Sequence, residues 1–356
     1  MNLSNLILFL LLVIFGLFFY NNFLKILYKY NPKLLIDAQF SKPQAFHEYP
    51  ISVAGGTGIF LLFLIVYFNF LFFKNIIFFE YLSICTFIFF LGFFDDVKIN
   101  LKPKYRLALM IIFLLALIKY NNFYLERTGI ESLNYWLENS DIFSLIFICL
   151  CLLFVINGSN LIDGYNGLLC LHSLIIFTNL FLINYFNANN DLANLFFFMI
   201  IILIIFLSFN FPKAKVFLGD SGSYFLGVFI AISIIKTSIA NPSISPFYFC
   251  ILLFYLFFEV FFSFFRKLVV EKVSPIHPDE KHLHMLLYKI LLKKNNDKLK
   301  SNYYVSLIIN LIYLILTIPA IFMMKEGLFC KYYSILFFII YIFCYRIANN
   351  KIKQAT

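Results

Sequence analysis

Long, nearly uncharged apolar runs recur along the whole chain of 356 residues. Runs of about eighteen or more apolar residues are long enough to cross the hydrocarbon core of a bilayer as an α-helix. Hydrophobic residues make up 62% of the chain and charged residues only 13%, so little sequence is left for a separate soluble domain. The sequence therefore predicts an all-α, polytopic membrane protein with a single integral membrane domain over residues 1–356.

Eleven of these segments are predicted as transmembrane helices. They lie near residues 4–23, 51–73, 75–94, 106–120, 142–157, 167–186, 192–210, 222–241, 246–266, 303–324 and 328–346. No basic segment precedes the first apolar run and no small-residue cleavage site follows it, so we expect a retained helix rather than a signal peptide. An odd number of spans places the two ends of the chain on opposite sides of the membrane.

The basic residues are distributed unequally between the two sides that these spans define. Of the 28 Lys and Arg residues, 22 fall on the side that carries the linkers after the odd-numbered spans and the C-terminal tail. Because cytoplasmic loops are enriched in Lys and Arg, this side is predicted to be cytoplasmic and the N-terminus extracytoplasmic. Membrane orientation thus explains the net charge of +10, and no nucleic acid partner is expected.

A polar segment between two apolar runs, Asn210 to Gly227, contains the isolated carboxylate Asp220 between glycine and serine residues. A carboxylate in this setting can bring an oxygen ligand and exposed backbone N–H groups to a phosphate-bearing ligand. Mg²⁺ suits such a site, because it takes few protein carboxylates and completes its coordination with water and phosphate. The alternative is a simple Gly/Ser turn between two membrane helices.

A second polar segment, residues 157–168, carries Asn157, Asn160 and Asp163 at every third position. At a helix end these three side chains would share one face, where amide and carboxylate groups can recognise a base or a sugar. Nearby glycines would let the backbone approach a ligand closely. The alternative is a helix C-terminus whose carbonyl groups are satisfied by its own Asn side chains.

Two adjacent carboxylates, Asp95 and Asp96, end the third predicted span, and Lys104 and Arg106 follow one short loop later. Adjacent carboxylates repel each other, so holding both ionised requires a cation or a basic partner. Lys104 and Arg106 are suited to bind phosphate. The alternatives are a solvated pair of carboxylates and two basic residues that only anchor the cytoplasmic end of a helix.

The longest predicted cytoplasmic linker, residues 267–302, contains His282 and His284. Neutral imidazole can bind zinc, but the carboxylates elsewhere favour Mg²⁺, which leaves these His residues to bind phosphate oxygens or to transfer protons. The apolar stripe that follows predicts a helix at the membrane interface. His47, in the first linker, is a further candidate ligand, and Glu259 is a functional candidate because a carboxylate inside a span is costly.

All the candidates in the linkers and at the helix ends fall on the predicted cytoplasmic side, although that side was assigned from Lys and Arg alone. This coincidence predicts one composite cytoplasmic-face site of carboxylate, amide, His and basic groups. Such a set of groups suits a metal-bound diphosphate.

The chain resembles the polyprenyl-phosphate N-acetylhexosamine-1-phosphate transferases, a family of membrane glycosyltransferases. Four elements carry the similarity, in the family's order over roughly residues 30–300: Gly92–Asp96, Asn157–Leu168, Asn210–Ser223 and Asp279–His284. The resemblance implies a UDP-sugar, Mg²⁺ (with Mn²⁺ as an alternative) and polyprenyl phosphate, with release of UMP. It also implies a multi-pass protein of the bacterial inner membrane, and it is compatible with a homodimer.

The resemblance further implies roles for individual residues. Asp220 corresponds to the metal-binding Asp, and Asp95 and Asp96 to a catalytic pair. His282 and His284 lie in a catalytic loop that contacts phosphate. The candidates for substrate binding are Asn157, Asn160, Asp163, Asn166, Lys104, Arg106 and His47.

Three departures from the family pattern affect this assignment. Asn166 stands where many relatives have a second Asp, and Met285 where a further His is frequent. One extra residue between Asp96 and Arg106 leaves either Lys104 or Arg106 as the phosphate ligand. The His loop is more similar to the branch that initiates O-antigen, teichoic acid or capsule lipids than to the muramoyl-pentapeptide branch.

We therefore expect an enzyme that transfers a sugar 1-phosphate, such as N-acetylhexosamine 1-phosphate, from a UDP-sugar to polyprenyl (undecaprenyl) phosphate. Such a reaction would initiate synthesis of a cell-envelope polysaccharide. One alternative is the phospho-N-acetylmuramoyl-pentapeptide transferase reaction of peptidoglycan synthesis. A transporter or lipid flippase is an alternative of another class, but it should concentrate its polar groups at the bilayer midplane rather than on one face.

Overall fold

The structure is a computed structural model that describes residues 3–23, 25–26, 29, 35–37, 50–99, 101–125, 127–274 and 279–354. The candidate ligand His47 lies outside these described residues. Within them the chain is almost entirely helical, as the apolar runs predict. The protein is an all-α, polytopic membrane protein.

The described residues form thirteen α-helices, named here in chain order. They are α1 (Leu3–Phe18), α2 (Gly55–Lys74), α3 (Phe79–Asp96), α4 (Pro103–Tyr120), α5 (Glu131–Asn139), α6 (Asp141–Ile162), α7 (Leu168–Phe186), α8 (Asn190–Asn210), α9 (Gly219–Ala240), α10 (Pro246–Phe265), α11 (Leu283–Asn295), α12 (Lys298–Phe322) and α13 (Gly327–Lys353). Helices α1 and α10 continue as wider π-helical turns over Phe19–Phe23 and Arg266–Glu271.

Nine helices in the described part of the chain are long and apolar enough to cross a membrane: α1, α2, α6, α7, α8, α9, α10, α12 and α13. The predicted spans near 75–94 and 106–120 are also helical, as α3 and α4, but each helix carries three charged residues. Eleven spans therefore remain a prediction, as does the cytoplasmic position of the C-terminus.

Helix α9 lies at the centre of the bundle and packs against α2, α3, α6 and α7. Two glycines on neighbouring helices allow its N-terminal end to approach their backbones. A Cβ atom on Gly92 would lie 2.5 Å from the carbonyl oxygen of Asp220, and one on Gly56 would lie 2.2 Å from the nitrogen of Gly222. Small residues of this kind permit close helix contacts in membranes. They bring the ends of α2, α3 and α9 together around Asp220.

A short antiparallel ribbon, β1 (Ile36–Asp37) with β2 (Ile51–Ser52), lies beside the segment that leads into α9. The nitrogen of Phe217 donates to the carbonyl oxygen of Ser52 at 2.7 Å, and the nitrogen of Gly55 donates to that of Phe217 at 3.0 Å. These bonds join the segment before α9 to the start of α2. The segment that leads to Asp220 is therefore held in place by backbone hydrogen bonds to the start of α2 and to the residues before it.

The apolar stripe after the His residues forms helix α11, as predicted from its spacing. His284, Met285, Leu286 and Tyr288 are the buried residues of this helix, which packs against α12 and α13. Its placement at a membrane interface remains a prediction.

Candidate active site

A cavity of about 1340 Å³ lies where the ends of α3, α4, α6 and α9 meet. Of the site residues predicted from the sequence, seven line it: Asp95, Asp96, Arg106, Asn160, Asp163, Asn166 and Asp220. Five lysines also line it, at positions 98, 102, 213, 215 and 298. Six Asp, five Lys and one Arg therefore line the cavity, so both a cation and an anionic group can find a partner of opposite charge there.

Asp220 is the second residue of α9, and its side chain is 37% exposed. The Oδ2 atom of Asp220 lies 3.3 Å from Nη1 of Arg106, and its Oδ1 atom accepts a hydrogen bond of 2.8 Å from Nδ2 of Asn160. The same amide group of Asn160 lies 3.0 Å from the hydroxyl of Ser223. Arg106 and Asn160 therefore orient a carboxylate that stays accessible from the cavity.

Arg106 links two of the predicted acidic residues. Its Nη1 atom forms ion pairs with Asp95 and with Asp220, and its guanidinium group lies 5.4 Å from the ring centroid of Tyr224. Lys104 is not among the residues that line the cavity, and its Nζ atom lies 5.0 Å from the ring of Tyr105. Of the two basic residues left open by the sequence, the structure places Arg106 in the site.

Asp96 has different partners from its neighbour Asp95. Its Oδ1 atom accepts a hydrogen bond of 2.8 Å from the nitrogen of Asp220, and its Oδ2 atom accepts one of 3.0 Å from the nitrogen of Ser221. These N–H groups belong to the first turn of α9 and have no partner within that helix. Asp96 thus caps α9 from another helix, and a catalytic role for it remains a prediction.

The C-terminal end of α6 brings only part of the predicted nucleotide-sugar set to the cavity. Asn160 and Asp163 line it, but the Nδ2 atom of Asn157 donates to the carbonyl oxygen of Leu153 at 2.7 Å, and Asn157 is not among the lining residues. Desolvation of its carboxyl group raises the pKa of Asp163 well above the usual value, and the charge of Asp220 raises it further. A cation bound nearby would oppose this shift.

Asn166 lines the cavity but also holds the loop together. Its nitrogen donates to Oδ1 of Asn302 at 2.9 Å, and its Nδ2 atom donates to the carbonyl oxygen of Pro212 at 2.9 Å. The next residue, Gly167, has a positive φ of 75° and donates its N–H to Oδ1 of Asn210 at 2.7 Å. Sequence reasoning did not select Asn302 or Asn210. Asn210 is the first residue of the polar segment that contains Asp220, whereas no local sequence pattern indicates a role for Asn302.

The two candidate His residues lie behind the cavity and are not among its lining residues. His282 is 6% exposed and His284 is fully buried. The Nδ1 atom of His282 lies 3.1 Å from Oε2 of Glu259. Burial lowers the pKa of His284, and Glu259 partly offsets this shift. A direct phosphate contact by these His residues remains a prediction.

The cavity also bears on the expected metal ion. Among the described residues, no three His, Cys, Asp or Glu side chains are grouped closely enough to hold a metal by themselves. Mg²⁺ does not need such a cage, since one or two carboxylates together with water and substrate phosphates suffice. The accessible carboxylate of Asp220 meets this requirement, with Asp95 and Asp163 also lining the cavity.

Fold and cavity define a multi-pass membrane protein with an acidic and basic polar site at the ends of its helices. The model of glycosyl transferase family 4 matches residues 78–238, which include every predicted site residue except His47 and the two His of the long linker. The chain is 33% identical over 231 residues to a phospho-N-acetylmuramoyl-pentapeptide-transferase of Dictyoglomus turgidum, covering 61% of this chain and 71% of the relative.

A second relative is an undecaprenyl-phosphate alpha-N-acetylglucosaminyl 1-phosphate transferase of Thermotoga maritima, 33% identical over 139 residues. That match covers 39% of this chain and 41% of the relative. A third, the phospho-N-acetylmuramoyl-pentapeptide-transferase of Dictyoglomus thermophilum, is 31% identical over 228 residues, or 61% of this chain and 71% of the relative. The chain belongs to glycosyl transferase family 4, as the four sequence elements indicate, and is an enzyme of the transferase class.

Proposed function

We propose that this protein transfers a sugar 1-phosphate from a UDP-sugar to polyprenyl phosphate and releases UMP, at the cytoplasmic face of a bacterial membrane. Family membership and the names of the relatives support the reaction class. The single observation that carries the proposal is the arrangement around Asp220: an accessible carboxylate held by Arg106 and Asn160 inside a lysine-lined cavity.

In this reaction an oxygen of polyprenyl phosphate attacks the sugar-bearing phosphorus atom. The bond from that phosphorus to the oxygen bridging to UMP breaks in line, and UMP leaves. A phosphate monoester has a second pKa of roughly 6, so the attacking phosphate is mostly a dianion at neutral pH. Catalysis then consists mainly of positioning and charge stabilisation, and a dedicated general base is not required.

The residues of the cavity divide this work. Arg106 provides a guanidinium group that can bind phosphate oxygens in two-pronged fashion, and Asn160 holds the Asp220 carboxylate in place. Mg²⁺ would be held by Asp220 and would supply positive charge at the diphosphate. Asp95 keeps Arg106 oriented through their ion pair. The cavity lysines can form ion pairs with phosphate oxygens of the donor and of the lipid.

A second candidate is the phospho-N-acetylmuramoyl-pentapeptide transferase reaction. The match to the Dictyoglomus turgidum relative supports it, because that match covers more of both chains than the match to the N-acetylglucosaminyl relative. The sequence of the His loop favours the N-acetylhexosamine branch instead. The two candidates differ only in the sugar that the donor carries. A transporter or flippase is disfavoured, because the relatives are transferases.

The test is an assay of membranes that contain the protein, supplied with undecaprenyl phosphate, Mg²⁺ and one radiolabelled donor at a time. UDP-N-acetylglucosamine, UDP-N-acetylgalactosamine and UDP-N-acetylmuramoyl-pentapeptide form the panel. We expect UMP release and a labelled lipid with one of the two N-acetylhexosamine donors. Labelled lipid only with the pentapeptide donor would establish the second candidate. If none of the three donors leads to release of UMP, the proposed reaction class is contradicted.

Asp220→Asn is the test variant, because it removes the charge and keeps the size of the side chain. We expect its rate to fall by more than about tenfold, equivalent to roughly 1.4 kcal/mol of barrier, with weak recovery at high Mg²⁺. Asp141→Asn is the matched control. Asp141 is exposed at the N-terminal end of α6, and its substitution should leave the transfer rate unchanged.

A further inference from the structure

Glu259 is a buried carboxylate near the end of the apolar helix α10, with 1% of its surface exposed. A carboxylate in this position is costly unless its oxygens are paired. Both oxygens of Glu259 bind the same short segment: Oε2 lies 3.1 Å from Nδ1 of His282, and Oε1 accepts a hydrogen bond of 3.2 Å from the nitrogen of Leu283. Nδ1 of His284 lies 3.7 Å from Oε1.

These contacts place the carboxylate of Glu259 at the N-terminus of α11. Leu283 is the first residue of that helix, so its N–H has no partner within the helix. A negative charge near a helix N-terminus is favourable. An ionised carboxylate only accepts hydrogen bonds, so Nδ1 of His282 is the donor in this contact. Glu259 thus determines both the start of α11 and the orientation of a His ring.

One of the two His rings contacts a side chain of the cavity wall. The ring of His284 packs edge-on against the ring of Tyr165, with centroids 5.6 Å apart, and its Nδ1 atom lies 3.3 Å from the hydroxyl of Tyr255. Tyr165 lines the cavity in the loop that also contains Asp163 and Asn166. His284 therefore supports the wall of the cavity from behind.

We propose that Glu259 is a positioning residue that binds the His282–His284 segment and holds it against the back of the cavity wall at Tyr165. In this arrangement the ring of His284 supports the loop of Tyr165, which lines the cavity. The proposal deepens the proposed function and rests on it for its effect on turnover. The Glu259 contacts themselves can be tested without any activity.

The first experiment measures the reactivity of the His rings towards diethyl pyrocarbonate in the full-length protein in detergent, with each modified His identified by mass spectrometry. His282 and His284 should react slowly in the unmodified protein. Glu259→Gln should raise the rate at His282 by about tenfold or more, because the uncharged amide offers one acceptor oxygen to two donors and weakens the contact with Nδ1. Rapid reaction of either ring in the folded, unmodified protein would overturn the proposal, whatever reaction the protein catalyses.

Glu80→Gln is the matched control. Glu80 is also a largely buried glutamate of the bundle, ion-paired with Lys236, but it lies at the end of α3 opposite to Asp96. We expect Glu80→Gln to leave the reactivity of both His rings unchanged. An equal increase in Glu80→Gln and Glu259→Gln would show general loosening of the bundle and would contradict the proposal.

The second experiment is a double-mutant cycle on the transfer rate, with Glu259→Gln, His282→Gln and the double variant. If the two residues act as one unit, the double variant should be no slower than the slower single variant. The kcat of the double variant should fall, while its unfolding temperature stays close to that of Glu80→Gln. If the double variant instead shows the product of the two single losses in rate, His282 acts independently of Glu259 and the proposal is contradicted.

Glu259→Asp keeps the charge but shortens the side chain, so it remains informative if Glu259→Gln does not fold. We expect it to give intermediate values of both His282 reactivity and kcat. A Glu259→Asp protein with the reactivity and kcat of the unmodified protein would contradict a role that depends on the reach of this carboxylate. If the unmodified protein shows no transfer while the His282 reactivity follows the expected order, the proposed function fails and the Glu259 contacts stand.

Discussion

The Oδ1 atom of Asp96 accepts a hydrogen bond of 2.8 Å from the backbone nitrogen of Asp220. Asp95, its neighbour in the sequence, instead forms an ion pair with Arg106. The two adjacent carboxylates therefore have different partners. Asp96 binds the backbone of Asp220, the residue expected to bind the metal, and Asp95 binds the guanidinium group of Arg106. Both residues line the cavity, but Asp96 caps α9 whereas Asp95 pairs with Arg106.

Asp96→Asn should therefore affect folding as well as activity. The amide can replace one of the two acceptors, but its NH₂ group faces the second backbone N–H and leaves it unpaired. A buried donor left unsatisfied costs about 1–3 kcal/mol, so we expect a lower unfolding temperature in detergent together with a lower transfer rate. Asp95→Asn, the matched control, should reduce the rate with a smaller change in unfolding temperature. Equal unfolding temperatures for the two variants would contradict the capping role.

Arg106 and Lys104 can be separated by substitution, because only Arg106 lines the cavity. Arg106→Ala should lower the transfer rate by at least about tenfold, since it leaves Asp95 and Asp220 without their shared cation. The transfer rate of Lys104→Ala should stay within about threefold of that of the unmodified protein. This is expected of a basic residue that affects only the membrane orientation or the encounter with an anionic substrate. Rates measured at saturating donor and lipid decide this. A larger loss in Lys104→Ala than in Arg106→Ala would reverse the assignment.

The pH dependence of Asp95→Asn distinguishes base catalysis from positioning. If Asp95 removed a proton from the lipid phosphate, raising the pH would restore the rate, since the phosphate then ionises without help. The second pKa of a phosphate monoester is roughly 6, and Asp95 is engaged with Arg106, so we expect the defect to persist. Rates from about pH 6 to 9 at saturating Mg²⁺ provide the comparison. Convergence of the two profiles at alkaline pH would show that Asp95 acts as a base.

The membrane orientation is open to a direct test. The distribution of Lys and Arg and the predicted odd number of spans place the C-terminus in the cytoplasm. An alkaline phosphatase fused there should be inactive, whereas the same reporter inserted after Tyr120 should be active. The opposite pair of results would reverse the predicted side of the cavity.

Much of the helical architecture could be predicted because span length and hydrophobicity are local properties of the sequence. Most predicted edges lie within about five residues of the helix ends, but α13 continues to Lys353, well past the predicted edge at 346. The segments near 75–94 and 106–120 are helical. The grouping of the Asp220 and Asp163 segments could also be predicted, since charge assigns both to one side of the membrane. Two-residue strands such as Ile36–Asp37 are too short for any periodicity to mark.

Partners across helices could not be predicted in the same way. Asp96 binds residues 124 and 125 positions away, and Asn166 binds Asn302 at a distance of 136 positions. Composition shows that a carboxylate lies at a helix end, but not which helix its oxygens face. For the same reason the sequence could not show that the ring of His282 lies against Glu259.

The cap on α9 restricts how the cavity can hold an anion. A free helix N-terminus can bind phosphate through its backbone N–H groups, aided by the helix dipole. In this protein the carboxylate of Asp96 occupies the N–H groups of Asp220 and Ser221. At this end of α9, phosphate recognition would therefore come from side chains, such as the guanidinium of Arg106, and from any cation held by Asp220. Affinity for the phosphates should then vary strongly with ionic strength, as expected for charge-to-charge contacts in a solvated cavity.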